Sequence, residues 1–262
     1  RMEAFAGPIE GRAHTLDLPG GESMDLLWVK PGSFMMGSPE SEKDRDDDED
    51  RHRVSLSEGY WLGKTEVTQG DWESLMGSNP SRFENAGRNA PVEGVSWEDA
   101  MKFCRKLTQR EREAGRLPEG YEYTLPTEAQ WEYACRAGTT TPFHYGSRLD
   151  SSMANFDGNY PYNASKGVDR EKTVSVGSFR PNAWGFYDMH GNVWEWCRDW
   201  YGDYPNGSVR DPTGPGSGSI RVARGGSWYF SAGYCRSAFR FRRSPDVAYD
   251  PLGFRPALAP VR

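Results

Sequence analysis

The chain has 262 residues and a formal net charge of −6, with 36% hydrophobic and 27% charged residues. This length allows one large domain or two modest ones, and no apolar run approaches the roughly 18 residues of a membrane-spanning helix. The negative charge argues against general nucleic-acid binding, which depends on neutralising phosphates. We expect a soluble monomer, cytoplasmic or exported after loss of a signal segment.

The first third of the chain predicts an arm followed by short strands. Residues 1–23 show no periodicity and are assigned to an N-terminal arm, and residues 24–262 to a single domain. Two short strands are expected around a turn within 24–37, and one strand within 52–62. The acidic run between them, residues 42–50, could hold a cation. Adjacent like charges repel, so we favour a flexible, solvated loop.

Three helices are predicted by capping boxes, in which the side chains of two residues three apart satisfy each other's free backbone N–H groups. The pairs are Thr68 with Asp71, Ser96 with Asp99, and Thr127 with Gln130. After Gly138 the helical period disappears, and Gly, Asn, Asp and Pro separate short aromatic runs. The pattern predicts an α+β domain whose helices precede a loop-rich, mainly antiparallel half.

Cysteine and histidine usage excludes several kinds of site. The four cysteines show no CxxC spacing, and sequence alone does not choose among their three possible pairings. Cys104 and Cys135 lie on predicted helix faces beside apolar residues, which favours buried free thiols. The four histidines lack the spacing of a zinc or iron site.

The C-terminal segment has the most distinctive composition. Residues 224–228 read Arg-Gly-Gly-Ser-Trp, and two adjacent glycines suit a tight backbone bend. Residues 229–243 then alternate aromatic side chains with arginines. Such a segment could line a pocket carrying fixed positive charge, which would suit an acidic or carboxylate partner. It could equally be ordinary packing with the cationic ends reaching solvent.

Several motifs together resemble the formylglycine-generating enzyme (sulfatase-modifying factor) family over residues 24–258. They are the segments 37–38, 66–68, 125–134 (LPTEAQWEYA), 185–196 (GFYDMHGNVWEW), 224–228 (RGGSW), 234–236 (YCR) and 252–255 (LGFR). The resemblance implies a C-type-lectin-like α+β fold with few regular elements.

Two segments rich in Asn, Asp and Gly, 155–159 and 188–195, are candidate calcium loops because Ca²⁺ takes oxygen ligands, including backbone carbonyls. Asn/Asp turns without metal are the commoner alternative. The resemblance implies one calcium site at Asp188, Gly191, Val193 and Glu195, and another at Asn155 and Phe156 with further ligands near 169–171. Asp188 stands where the family more often has Asn.

The resemblance also implies a copper site, from which this chain departs. The family's oxidase holds Cu(I) between two cysteines five residues apart and oxidises a substrate cysteine to formylglycine, and paired thiolates suit a soft monovalent ion. Here the second position is Cys235 but the first is Phe230. The substitution argues against copper and against standard oxidase activity.

We therefore interpret the chain as a calcium-stabilised module that binds a protein, peptide or small molecule, a pseudoenzyme of this family. The candidate ligand-binding residues are Trp194, Ser227, Tyr229, Phe230, Tyr234, Phe239, Arg240 and Phe241. The C-terminal segment is also similar to variable proteins of diversity-generating retroelements, whose diversified positions would map to Tyr229, Phe230, Ser231, Gly233, Tyr234, Phe239 and Phe241.

An enzyme is the alternative. It would oxidise a peptide cysteine with O₂ through a different site, or serve another maturation chemistry, with Cys235 as its catalytic residue. Against this stands a simpler role for Cys235 as a small buried hydrophobic residue.

Overall fold

The computed structural model describes residues 7–261. The helices α1 to α3 are Gln69–Met76, Trp97–Glu113 and Glu128–Arg136. The strands β1 to β12 are His14–Asp17, Ser23–Val29, Gly32–Met36, His52–Leu56, Tyr60–Gly63, Tyr121–Thr124, Trp194–Trp200, Val209–Arg210, Arg221–Arg224, Phe241–Arg243, Leu252–Gly253 and Ala257–Pro260.

All three capping boxes form, and each places its helix start at the predicted residue. The side chains of Thr68, Ser96 and Thr127 accept from the backbone N–H three residues on, and the reciprocal bonds are present. Helix α1 ends at Gly77, whose φ of 84° is the left-handed conformation that glycine adopts without strain. Local sequence was sufficient here because a cap is a contact between residues three apart.

The strands form three sheets. The five-stranded sheet has the order β1-β2-β5-β12-β6, the four-stranded sheet β10-β9-β7-β11, and the three-stranded sheet β3-β4-β8. Strand β12, almost the last part of the chain, lies between β5 and β6, so the two ends of the domain meet in one sheet. The 57 residues between α3 and β7, all of them described, form no helix or strand, which agrees with the predicted loop-rich half.

Two predicted boundaries are wrong. The region assigned to an arm contributes β1, which pairs with β2 along its whole length and buries Leu16, so the ordered domain begins before residue 24. The strand predicted over 52–62 is two strands, β4 and β5, in different sheets. The chain turns at Gly59, where a Cβ would collide with the ring of Trp28. Contacts distant in sequence decide both features.

All four cysteines are buried and free, as predicted for Cys104 and Cys135. Among residues 7–261, the structure contains no helix that is long and apolar enough to cross a membrane.

Four arginines of the C-terminal segment point into the protein. Arg224, Arg236, Arg240 and Arg255 are all buried. Their carboxylate partners are, in that order, Glu128 and Glu132, Glu42 and Glu49, Glu128, and Glu195. Within residues 229–243, the stretch expected to offer positive charge to an acidic partner, Arg236 and Arg240 are therefore not available, because their charges are neutralised inside the fold.

Asp199 gives the fold a testable pH dependence. Its side chain is buried and accepts a hydrogen bond from the Glu128 N–H, and burial, followed by the Glu128 charge, raises the pKa of Asp199 to about 7. A raised carboxyl pKa means that the folded state binds the proton more tightly than the unfolded state does. The stability that the protonated Asp199 contributes is therefore lost as the pH rises from about 4 to 7. We expect Asp199→Asn to match the wild type at pH 5 and to be more stable at pH 8, by on the order of 3 kcal/mol at about 1.4 kcal/mol per pKa unit.

Chemical denaturation of both proteins at the two pH values measures this difference. If the difference in unfolding free energy between Asp199→Asn and the wild type is the same at pH 5 and at pH 8, ionisation of Asp199 does not cause the pH dependence.

Candidate functional site

The Gly225-Gly226 bend brings Cys235 against the end of β9. The two glycines have φ of 98° and 77°, and a Cβ at Gly226 would collide with the sulfur of Cys235. After the bend the chain makes a 3₁₀ turn over Ala232–Cys235. The tight bend predicted from the sequence is confirmed, and its role is to bury Cys235.

Cys235 has the surroundings of an inert thiol. It is fully buried, its Sγ lies 3.9 Å from the carbonyl oxygen of Ser231, and burial raises its pKa well above the ordinary range. Thiolates, and not thiols, act as nucleophiles and copper ligands. Position 230 carries a benzyl side chain that packs on Trp194 at a centroid distance of 5.4 Å. The residues present do not fit a two-thiolate copper site.

The aromatic side chains form one cluster around Trp194. This indole stacks on Phe241 at 4.5 Å, contacts Phe239 at 5.8 Å and is fully buried, so it belongs to the core. Ser227 is also fully buried, and Arg240 is only 4% exposed. Trp194 and Ser227 are therefore covered by other side chains in this structure, whereas Arg240 lines a separate cavity of about 380 Å³. Their contact with a ligand stays a prediction.

The outer members of the cluster remain accessible. Tyr229 is 61% exposed and Tyr234 is 41% exposed, whereas Phe230 and Phe241 are half-buried and support them. Tyr234 packs edge-on against Phe230 at 5.3 Å and against Phe239 at 4.8 Å. Tyr229 and Tyr234 are thus the two most exposed side chains of the predicted ligand-binding set.

The acidic run, residues 42–50, lies beside this region; most of its residues are exposed, as expected for a solvated loop, but Glu49 is held inside the protein. Glu49 is fully buried, and the guanidinium of Arg236 donates to both of its oxygens and to Glu42. The same guanidinium donates to the carbonyl of Asp44. The sequence did not indicate this anchoring, because Arg236 is nearly 190 residues away from Glu49 in the sequence.

A concave pocket lies between this acidic run and the exposed Tyr234, and we call it the aromatic–acidic pocket. Its volume is about 360 Å³, and it is lined by Asp44, Arg45, Asp46, Ser231, Gly233, Tyr234 and Phe239. Arg45 forms an ion pair with Asp50, which leaves Asp44 and Asp46 as the negative groups facing the pocket. Carboxylates beside aromatic faces favour a cationic ligand.

The predicted calcium loop at 188–195 has a backbone suited to cation binding. Asp188 has φ of 58°, one of its oxygens accepts from the Gly177 N–H, and its buried carboxylate also contacts the carboxyl group of Glu66. A Cβ at Gly191 would collide with the carbonyl oxygen of Asn155. Asp188, Gly191 and Asn155 line a cavity of about 10 Å³, roughly the volume of one water molecule or ion. The residues at Asp188 fit Ca²⁺.

Glu195, which is also predicted to be a calcium ligand, already has partners inside the protein. Glu195 accepts two hydrogen bonds of 2.7 Å from Arg255 and a third of 2.7 Å from the Trp131 indole, so its charge is already neutralised. Val193 and Phe156 are predicted to bind through their backbone carbonyls, and the burial of these two residues leaves that prediction untested.

At the first predicted calcium site the side-chain nitrogen of Asn155 donates to the carbonyl of Lys172 and to Asn192, while its buried Oδ1 has no partner among the described residues. Asp169, the nearest acidic candidate in sequence, accepts instead from Asn159 and from the Glu171 N–H. The structure therefore does not bring Asp169 into hydrogen-bonding contact with Asn155.

The sequence interpretation missed Glu66 as a member of this region. Its carboxylate is fully buried near Asp188, and burial, followed by the Asp188 charge, raises the pKa of Glu66 well above its usual range. Burial likewise raises the pKa of Asp188 to about 6. Residue 66 was part of a recognised motif, but nothing local in the sequence signals that it meets a loop 120 residues later.

The fold defines a C-type-lectin-like α+β domain. The protein described as Treponema denticola variable protein 1 superposes with a TM-score of 0.79 at 31% identity, covering 95% of this chain and 99% of that one. PvdO from Pseudomonas aeruginosa superposes with a TM-score of 0.75 at 26% identity, covering 96% and 99%.

Residues 17–260 match the sulfatase-modifying factor enzyme 1-like domain, and the chain belongs to this formylglycine-generating enzyme family. The formylglycine-generating enzyme of Streptomyces coelicolor is 37% identical over 200 residues, which cover 70% of this chain and 59% of that protein. The enzyme of Mus musculus is 33% identical over 213 residues, covering 78% and 52%. The chain thus spans little more than half the length of these relatives.

Proposed function

We propose that this chain is a ligand-binding module of the formylglycine-generating enzyme family, stabilised by Ca²⁺, that lacks the standard oxidase activity. The observation that carries the proposal is the pocket in which exposed Tyr234 lies beside the carboxylates of Asp44 and Asp46. Cys235, by contrast, is buried, and burial raises its pKa. Rigid aromatic groups with a few charges are typical of recognition surfaces.

The ligand class follows from the charges that remain accessible. The buried arginines are committed to internal carboxylates, whereas Asp44 and Asp46 face the pocket beside the rings of Tyr234 and Phe239. A guanidinium or ammonium group can contact an aromatic face and a carboxylate at the same time. We therefore expect a cationic peptide side chain, or a small molecule carrying such a group.

Titration with a short arginine-containing peptide and with its citrulline analogue tests this assignment by isothermal calorimetry. We expect the neutral analogue, Tyr234→Ala and Asp44→Asn each to weaken binding by about 5- to 30-fold, corresponding to about 1–2 kcal/mol. Asp203→Asn is the matched control, since Asp203 is an exposed carboxylate lining a different cavity. Equal affinity for both peptides, or equal losses in Asp44→Asn and Asp203→Asn, would contradict a cationic ligand at this pocket.

A second candidate role is that of a variable protein of a diversity-generating retroelement. The likeness to Treponema denticola variable protein 1 over nearly the whole of both chains favours it. Of the seven candidate positions, Tyr229 and Tyr234 are exposed and Phe239 is buried. We expect sequence differences between near-identical genomic copies to concentrate at exposed positions; uniform copies would exclude this role.

The alternative function is an oxidase, or a related maturation enzyme, that acts on a peptide cysteine through Cys235. The similarity to the Streptomyces coelicolor and Mus musculus enzymes favours it. The burial of Cys235 and the presence of Phe230 argue against it. Mass spectrometry of a cysteine-containing peptide incubated with the protein distinguishes the two functions. The aldehyde product would support the oxidase, and its absence would support the binding module.

Removal of calcium is expected to lower thermal stability. A ligand that binds only the folded state contributes RT ln(1 + [L]/Kd), about 2.7 kcal/mol when its concentration is 100 times Kd. Melting curves recorded with excess chelator and with added CaCl₂, together with metal analysis of the purified protein, measure this contribution. Coincident curves and a calcium-free protein would refute the calcium part of the proposal.

A further inference from the structure

A second cavity lies beside the start of α3, and we call it the Asp199 cavity. Its volume is about 380 Å³, which is within the range of small-molecule sites. It is bounded by Glu128 at the start of α3, by the ends of β3 and β7, and by the loop at 202–215. Within the described chain it shares no lining residue with the aromatic–acidic pocket, so the two are separate sites.

Apolar and aromatic side chains supply most of the lining of the Asp199 cavity. They include Met36, Trp200, Tyr204, Val209, Pro212 and Pro215. In small-molecule sites such surfaces hold the apolar body of the ligand, while a small number of polar groups fix its orientation. The polar groups of this cavity therefore determine which chemical class it fits.

Asp199 is a buried polar group of this cavity. Its side chain is only 4% exposed, and its Oδ2 accepts a hydrogen bond of 2.9 Å from the Glu128 N–H. A Cβ at Gly214 would come within 3.3 Å of the other oxygen, Oδ1. The absence of a side chain at Gly214 thus keeps space open beside Oδ1. One carboxyl oxygen is held by the backbone, and the other is placed to contact a ligand.

The other buried charged groups at the cavity are committed to one another. The guanidinium of Arg240 donates to both oxygens of Glu128 and to the carbonyls of Gly202 and Asp48. The hydroxyl of Tyr204 also donates to Glu128.

His52 adds a second acceptor to the lining. Its Nδ1 lies 2.8 Å from the carbonyl oxygen of Asp50, which can only accept, so Nδ1 carries the proton. In the neutral imidazole Nε2 is then an acceptor. Asp199 and His52 together favour a ligand that donates a hydrogen bond.

The surroundings of the cavity favour an uncharged ligand. The guanidinium of Arg240 lies 3.9 Å from the ring centroid of Tyr204, and that of Arg221 lies 3.3 Å from the ring of Trp200. A further cation beside these rings would be repelled, whereas an anion would meet the carboxylate of Glu128. Burial raises the pKa of Asp199 to about 7, so its carboxyl group is only partly ionised at neutral pH.

We propose that the Asp199 cavity binds a small, uncharged aromatic molecule that carries a hydroxyl group, with the ring against the apolar lining and the hydroxyl hydrogen donated to Asp199. The site is independent of the proposed function, because its ligand differs in charge and its lining differs in residues from those of the aromatic–acidic pocket.

Fluorine NMR titration with para-fluorophenol tests this assignment. We expect saturable binding to the wild type with a Kd on the order of 1 mM, as for a ligand of so few atoms. The matched probe para-fluoroanisole has a methylated oxygen and cannot donate, so it should bind about fivefold more weakly. The cationic probe para-fluorobenzylamine should also bind more weakly than the phenol.

Val209→Phe tests the location, because Val209 is a half-buried lining residue and the larger ring would fill the cavity. We expect this variant to bind para-fluorophenol at least about tenfold more weakly. Val168→Phe is the matched control: Val168 is 61% exposed and lies outside the cavity, so affinity should be unchanged. Thr213→Trp, on the exposed side of the lining, repeats the test if Val209→Phe does not fold.

The outcomes separate this inference from the proposed function. Absence of saturable para-fluorophenol binding, equal affinity for para-fluoroanisole, tighter binding of para-fluorobenzylamine, or unchanged affinity in Val209→Phe would each overturn the assignment. Tyr234→Ala, which alters the aromatic–acidic pocket, should bind para-fluorophenol as the wild type does. Either site can therefore fail its test while the other stands.

Discussion

Replacing Arg236 by Met is expected to destabilise the protein by about 3–5 kcal/mol, the cost of removing one partner from a buried ion pair. Arg236 is fully buried and holds Glu49 and Glu42, which would otherwise be left as uncompensated charges. The free energy of unfolding, from urea denaturation of the wild type and the variant, measures the loss. A large effect is expected because Arg236 joins segments that are nearly 190 residues apart.

Arg242→Met provides the matched control. Arg242 belongs to the same C-terminal segment and pairs with Asp48 of the same acidic run, but its side chain is 50% exposed. Exposed ion pairs contribute about 0.2–1 kcal/mol, so the control should lose little. Similar losses in both variants would show that burial of the Arg236 pair does not determine its contribution.

Arg236 also positions the acidic groups of the proposed ligand-binding pocket. Asp44 and Asp46 face the aromatic–acidic pocket on a loop that Arg236 holds through Glu42, Glu49 and the carbonyl of Asp44. The stability of the fold and the position of the pocket's negative charges therefore depend on one guanidinium. The charges that hold this loop in place, those of Arg236, Glu42 and Glu49, do not line the pocket.

The parts of the fold that were predictable are those encoded by neighbouring residues. A capping box requires two residues three apart, and all three were read correctly from the sequence. The bend at Gly225-Gly226 was predicted for the same reason, since its geometry depends on the residues that form it. The buried state of Cys104 followed from the helical spacing of apolar side chains around it.

The features that were missed depend on partners distant in sequence. No residue near Arg236 or Glu49 in the sequence indicates that the two form an ion pair. From the sequence, Arg236 was therefore interpreted as an exposed cation and Glu49 as part of a solvated loop. Glu66 gave no local indication of its proximity to Asp188. In the site itself, the aromatic composition was read correctly, but which rings are exposed was decided by the stacking of Phe241 on Trp194.

Phe230→Cys is expected to create the missing half of a copper site. It would place a second thiol five residues before Cys235, the spacing that the family resemblance associates with Cu(I), and paired thiolates are soft ligands that select this ion. We expect about one equivalent of Cu(I) bound in the presence of a competing chelator. The wild type and the matched control Phe230→Ser should retain none. Loss of the ring's contacts with Trp194 and Tyr234 should cost about 1–3 kcal/mol, since the side chain is half-buried.

The effect of Phe230→Cys on oxidase activity is tested by incubating the Cu(I)-treated proteins with a Cys-x-Pro-x-Arg peptide in air. Mass spectrometry then detects the aldehyde. Aldehyde formed only by Phe230→Cys would assign the loss of oxidase activity to that one position. Aldehyde formed by the wild type, and abolished in Cys235→Ser, would mean that a single cysteine suffices and that the binding-module proposal is wrong. Copper binding without aldehyde in Phe230→Cys would place the barrier in the burial of Cys235, which packs in a hydrophobic cluster with Phe143, Phe156 and Tyr162 and is closed to a substrate cysteine.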